Sequence, residues 1–260
     1  MLKNKTAIIY GGAGAVGSAV ARAFAREGAM VFLGGRSVKT LEAVAAEING
    51  SGGKAKAVKV DALNKDEVNK TVHDIVQETG SIDISFCLIG IDDEHGTPLT
   101  KMPFESFSTP VYNAIRSHFV TAQAAALHMQ KQRSGVILAL TANAARKPYE
   151  VTGGFGVAGA AIEAFCRQLA SEEGKHGIRV VCLRSAGSPD APGVDEAFKV
   201  HAAELGVSRE QFEKEFAERT MLKRLPRLAE VANAAVLMAC DHASAITAAV
   251  TNVTCGELAD

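Results

Sequence analysis

Short apolar runs alternate with longer amphipathic ones along this chain. Runs of strand length lie at Thr6–Tyr10, Met30–Gly34, Lys56–Val60, Ile84–Ile89, Val136–Thr141, Arg179–Leu183 and Val250–Val253. Helical stretches are predicted at Val16–Glu27, Val38–Ile48, Lys65–Thr79, Tyr112–Gln132, Phe155–Glu173 and Leu228–Ala239. Strands that alternate with helices build a parallel sheet, because parallel neighbours need a crossover connection. Crossovers are right-handed, so helices cover both faces. No repeat, low-complexity tract or linker breaks the series; Gly50-Ser51-Gly52-Gly53 reads as a helix stop and a turn. The expectation is therefore one α/β domain over residues 1–260, a doubly wound Rossmann-type sheet. The rhythm is interrupted only at about 188–226, by a polar helical stretch. An insertion near the carboxyl end of a late strand is placed to cover a substrate crevice; a plain surface excursion is the alternative.

The chain's 260 residues suffice for one well-buried core. Lys+Arg (28) and Asp+Glu (29) nearly cancel, which points to neither nucleic acid nor an anionic membrane as partner. No apolar run reaches the roughly 18 residues of a membrane span. The basic start Met1-Leu2-Lys3-Asn4-Lys5 precedes an apolar stretch too short and Gly-broken for a signal peptide, so a cytoplasmic location is expected. Cys87, Cys166, Cys182, Cys240 and Cys255 are scattered without CxxC spacing. They read as buried reduced thiols, not as a zinc site or disulfide framework, and no metal-ligand constellation is visible.

Gly11-Gly12-Ala13-Gly14-Ala15-Val16-Gly17 follows the first strand and opens the first helix, and contains GxGxxG as Gly12, Gly14 and Gly17. Glycines permit a tight turn and close approach of the backbone to a pyrophosphate. The helix N-terminus behind them offers free N–H groups and partial positive charge. At the end of the second strand, where an acidic residue would bind an adenosine ribose, the chain has Arg36 and Ser37. These suit a 2′-phosphate, or form a solvated charge at a helix start. Asp61 suits either an adenine amino group or a helix cap.

These residues, with Asn113, the block Gly177-Ile178-Arg179-Val180-Val181 and the tail around Ile246-Thr247-Ala248-Ala249-Val250, fall in the order that resembles the short-chain dehydrogenase/reductase family. The resemblance covers nearly the whole chain. It implies a seven-stranded sheet, a homotetramer or homodimer, and cofactor contacts at Gly11, Gly12, Gly14, Val16, Gly17, Arg36, Ser37, Asp61, Ala62 and Gly90. Gly35-Arg36-Ser37, where an acidic residue would select NAD, predicts NADP(H), with NAD(H) second. The departures bear on chemistry. Tyr10 replaces the Thr of TGxxxGxG, and Cys87-Leu88-Ile89-Gly90 replaces NNAG. Of the family's Asn, Ser, Tyr and Lys, Asn113 matches. The Ser position falls on Ala142, the Tyr on Phe155, or on Thr152 in an enoyl-reductase-like register, and the Lys on Gly159.

In the family the Tyr hydroxyl gives the proton that follows hydride transfer, the Lys primes it and the Ser polarises the carbonyl. Losing a general acid alone typically removes roughly 10²–10⁴ in rate. Tyr149 is a candidate replacement donor, with Arg146 or Lys147 able to lower its pKa. His95 and Asp92-Asp93-Glu94 look like a solvated turn, and His118 like a packed helix histidine. Two functions follow. One is an NADP(H)-dependent oxidoreductase of small molecules that need little acid help, such as an imine or an activated alkene or carbonyl, in preference to simple alcohols. The other is a non-catalytic NADP(H)-binding protein, a sensor or a partner subunit.

Overall fold

The computed structural model describes residues 1–259. Seven strands form one parallel sheet: β1 (Thr6–Tyr10), β2 (Met30–Gly35), β3 (Lys54–Lys59), β4 (Ile84–Cys87), β5 (Gly135–Ala142), β6 (Ile178–Ser185) and β7 (Ala249–Val253). Their order is β3-β2-β1-β4-β5-β6-β7. The chain winds outward from β1 in one direction and, after β3, from β4 in the other. The strand order therefore reverses between β1 and β4, where Tyr10 stands in register beside Cys87. A crevice opens at the carboxyl ends of the strands at such a point.

The helices α1 (Ala15–Arg26), α2 (Val38–Gly50) and α8 (Leu228–Ala239) cover one face. The other face carries α3 (Lys65–Thr79), α4 (Phe104–Gln132) and α5 (Phe155–Glu173). Side chains alternate across each strand, so β1 sends Ala7 and Ile9 into the first core and Ile8 and Tyr10 into the second. Sequence signals set the helix ends. The Asn64 side chain caps α3 by accepting from the Asp66 and Glu67 amides, and Gly80 stops it in the left-handed conformation.

Some details depart from the sequence reading. The ladder of β4 ends at Cys87 and not at Ile89. Helix α4 starts eight residues earlier than Tyr112, at Phe104, and runs through Pro110; an interior proline forfeits one hydrogen bond, which a 29-residue helix with a buried face absorbs. The insertion holds two helices, α6 (Pro192–Leu205) and α7 (Arg209–Glu218). They have a small core of their own, in which the Phe198 ring lies 5.3 Å from Phe212 and 5.6 Å from Phe216. Of the cysteines, Cys87, Cys166, Cys182 and Cys240 are buried as expected, and Cys255 is half-exposed. No described helix is long and apolar enough to cross a membrane.

Candidate active site

The Gly-rich turn leaves β1 at Tyr10 and enters α1 at Ala15. Gly11 has φ +76°, a left-handed conformation that glycine adopts without strain. A Cβ at Gly17 would collide with the Gly11 carbonyl oxygen, so helix and turn close on each other only without a side chain there. No side chain caps α1 at Gly14, so its first N–H groups face the crevice end of the sheet unpaired by a side chain. That arrangement fits a pyrophosphate.

Arg36 and Ser37 sit exposed where β2 gives way to α2. The Arg36 guanidinium has no partner among the described residues, and the Ser37 hydroxyl caps nothing. Both are available to a phosphate beside the adenosine ribose. Asp61 makes a turn: its Oδ1 accepts from the Leu63 amide at 3.0 Å, and its own amide donates to Glu67. The helix cap is Asn64, which leaves the second oxygen of Asp61 open to an adenine amino group. Ala62 beside it is buried.

A cleft of about 240 Å³ lies at the strand-order reversal. Val16 from α1, Gly90 after β4, Ala142 at the end of β5, and Phe155 and Gly159 on α5 all line it. The Gly-rich turn and the three positions that the sequence register assigns to the family's Ser, Tyr and Lys thus share one cavity. Ala191 and Val194, at the start of α6, also line it, so the insertion reaches the crevice.

Several of the polar groups near this wall are engaged within the chain. Thr141 donates to Glu163 Oε1 at 2.9 Å, and Glu163 is held by a buried ion pair with Arg184 at 2.7 Å. The Thr152 hydroxyl donates to the Tyr149 carbonyl oxygen. Asn113 is half-buried on α4, its side-chain amide without a partner among the described residues. Tyr149 donates to Glu257 Oε1 at 2.6 Å, and Lys147 and Asn143 reach the same carboxylate. The expected lowering of the Tyr149 pKa does not occur: burial first, then the bond to anionic Glu257, push it up. Lys147 spends its charge on the carboxylate, and the contribution of Glu257 could not be read from a position 108 residues away.

Two features escaped the sequence reading. Cys87 lines the cleft and faces His118, which is buried on α4 with Nδ1 2.8 Å from the Ala114 carbonyl oxygen. Burial opposes charge on both, yet their mutual attraction prevails, lowering the thiol and raising the imidazole. The second is His95. Far from a solvated turn, it lies 2.7 Å from Asp93, 3.2 Å from His201 of α6, and its ring centroid is 6.0 Å from that of Phe155. Only the proximity of His95 to Asp93 was visible in sequence; His201 lies 106 residues on.

A family model described as "Enoyl-(Acyl carrier protein) reductase" matches residues 11–257. The chain is 28% identical over 246 residues to "Uncharacterized oxidoreductase YxbG" of Bacillus subtilis, covering 95% of this chain and 88% of that one. It is 30% identical over 256 residues to "Oxidoreductase asL5" of Sarocladium schorii, covering 97% and 95%. Among solved structures it is similar to sorbitol-6-phosphate 2-dehydrogenase SrlD from Erwinia amylovora, with a TM-score of 0.92 at 21% identity, covering 98% of this chain and 100% of that one. At that identity the likeness speaks for the fold.

Proposed function

The chain belongs to the short-chain dehydrogenase/reductase family, and from that premise we propose that it is an NADP(H)-dependent reductase of imines or of activated alkenes and carbonyls, working without the family's Tyr and Lys. One observation carries the reading. Ala142, Phe155 and Gly159 line the same cleft as Val16 and Gly90, so the cavity for hydride transfer is kept while the hydroxyl and ammonium groups are gone. A nicotinamide bound there supplies or accepts a hydride.

The chain's own residues do the rest. The α1 amides hold the pyrophosphate, Arg36 and Ser37 the 2′-phosphate, and Asp61 the adenine edge. The mostly apolar cleft limits water around the reacting carbon. An iminium ion enters such a site already cationic, so its reduction generates no alkoxide. An activated alkene takes its proton at carbon. Alcohol oxidation, by contrast, needs a base at the position of Phe155. No observation of its own favours the non-catalytic reading.

We infer also a homo-oligomer paired through α4 and α5. Both helices leave large apolar side chains exposed, Phe119 (48%) and Leu127 (53%) on α4 and Val157 (48%) on α5. Symmetric pairing through one patch is the common solution.

Titration with NADPH and NADH, followed by NADPH consumption on cyclic imines, enones and ketones, tests the proposal. Tighter NADPH binding with turnover of at least one class is expected. Tight binding with no turnover would restore the sensor or partner subunit; no binding would remove the cofactor assignment itself.

A further inference from the structure

We propose that His95 and His201 form an acid-released latch that joins the segment after β4 to α6 and holds two walls of the cleft together.

The walls come first. The segment after β4 supplies Ile89, Gly90 and Ile91 to the cleft, and the start of α6 supplies Ala191 and Val194. The strands that lead into these walls, β4 and β6, are not neighbours, because β5 lies between them. Contacts beyond the sheet must therefore bring the two walls together. His95 and His201 make such a contact, Nδ1 to Nε2 at 3.2 Å, across 106 residues of chain. Gly96 adds to it. Its φ is +89°, and a Cβ there would stand 2.9 Å from Glu204 Oε1, so α6 rests against bare backbone at this point. Each half of the latch is held on its own side. The Gly96 amide donates to the Val151 carbonyl oxygen at 2.8 Å. The His95 ring centroid lies 6.0 Å from that of Phe155, itself a cleft residue. His201 stacks on Phe212 of α7, with centroids 6.1 Å apart.

The number of protons decides whether the contact holds. Asp93 Oδ2 stands 2.7 Å from His95 Nε2, its side chain only 7% exposed, and keeps a proton on that nitrogen. When His95 is neutral, its Nδ1 accepts from His201 Nε2–H. When His95 is cationic, Nδ1 donates to a neutral His201. A second proton, on His201, sets two donors and two positive charges face to face at the 3.2 Å contact. The groups facing the pair are Asp93 from its own segment, Glu204 from α6 with Oε2 3.6 Å from His201 Nδ1, and the uncharged rings of Phe155 and Phe212. Glu94, next in the chain, accepts from the Thr97 hydroxyl.

The Asp93 carboxylate, partly opposed by burial, raises His95 above the ordinary histidine value. Burial, then the charge of His95, lowers His201 against the pull of Glu204. His95 thus takes the first proton, and the latch survives it. His201 binds the second more tightly once the contact is broken than while it is made. By linkage, the joined state holds its full advantage above the ordinary histidine range. It loses that advantage as pH falls from there toward the lowered value of His201.

Amide hydrogen exchange on the protein without added cofactor tests the latch with no turnover, so its failure would leave the reductase reading untouched. Exchange is followed at about pH 7.5 and about pH 5.5, either side of the ordinary histidine value, and corrected for its intrinsic pH dependence. Protection of residues 89–97 and 191–205 should fall about tenfold in acid, the factor carried by one unit of displaced proton affinity, while β1, β5 and β6 stay protected. His201→Gln keeps a side-chain amide for His95 and takes no proton, so its protection should hold in acid. His201→Ala should lack the protection at both pH values. An acid loss in His201→Gln equal to that of the wild type would overturn the inference. So would a wild-type α6 equally protected at both pH values, or an acid loss spread evenly over the sheet.

Discussion

Gly159 packs directly against Ala145: a Cβ built at Gly159 would stand 3.0 Å from the Cβ of Ala145. In the register that puts the family's Lys at Gly159, that position is a helix–turn contact, between α5 and the short 3-10 turn Asn143–Ala145. A lysine there must push that turn aside. Gly159→Lys should therefore lower the melting temperature, with overpacking costing about 1–3 kcal/mol, and Ala145→Gly should recover part of the loss. In that relieved background, adding Phe155→Tyr and Ala142→Ser should raise secondary-alcohol oxidation by more than the single changes add up to, because such groups act as a unit. Phe155→Tyr alone should gain little, since an unassisted phenol keeps a pKa near roughly 10. Thermal melts and alcohol kinetics on the variant series decide this.

Arg36 gives the second expectation. Its exposed, unpartnered guanidinium is free to clasp a phosphate. Arg36→Ala should weaken NADPH binding by about 10–100-fold, the worth of one charge-assisted contact, and leave NADH nearly unchanged. Fluorescence titration of both cofactors measures it; equal losses would place Arg36 away from the 2′-phosphate.

Tyr149 should prove dispensable for chemistry. Its hydroxyl is committed to Glu257, and its pKa moves up, away from the range useful to an acid at neutral pH. Tyr149→Phe should keep kcat within about twofold and cost about 1 kcal/mol of stability, the usual worth of one hydrogen bond. A large loss of kcat with unchanged folding would return the proton-donor role to Tyr149.

The sequence carried the sheet well. Seven apolar runs and the intervening amphipathic stretches specify strand and helix because periods of 2 and 3.6 differ over even a short window. It also carried the positions that gather at the cleft: Val16, Gly90, Ala142, Phe155 and Gly159 are brought together through strand ends that the fold places side by side. What it could not carry were pairings across long separations. Glu257 on Tyr149 and His201 beside His95 depend on how the tail and the insertion fold back. The start of α4 was also missed: the helix expected from Tyr112 begins at Phe104 and runs through Pro110, where tertiary packing outweighs a local breaker.

The pairing surface on α4 can be tested by charge. Phe119→Glu with Leu127→Glu should convert the oligomer to a monomer in light scattering at micromolar concentration, with the far-ultraviolet circular dichroism unchanged. A wild-type mass equal to one chain, or a variant mass that does not move, would contradict pairing through α4 and α5.

The central claim is that this cleft moves a hydride even though Phe155 and Gly159 replace the family's Tyr and Lys. NADPH carrying deuterium on the transferred face of nicotinamide C4, incubated with the protein and a cyclic imine or an enone, tests it by mass spectrometry of the product. One deuterium on the substrate carbon, scaling with enzyme and lost with competing NADP+, is the predicted result. Bound NADPH that leaves every substrate unlabelled over many hours would contradict it.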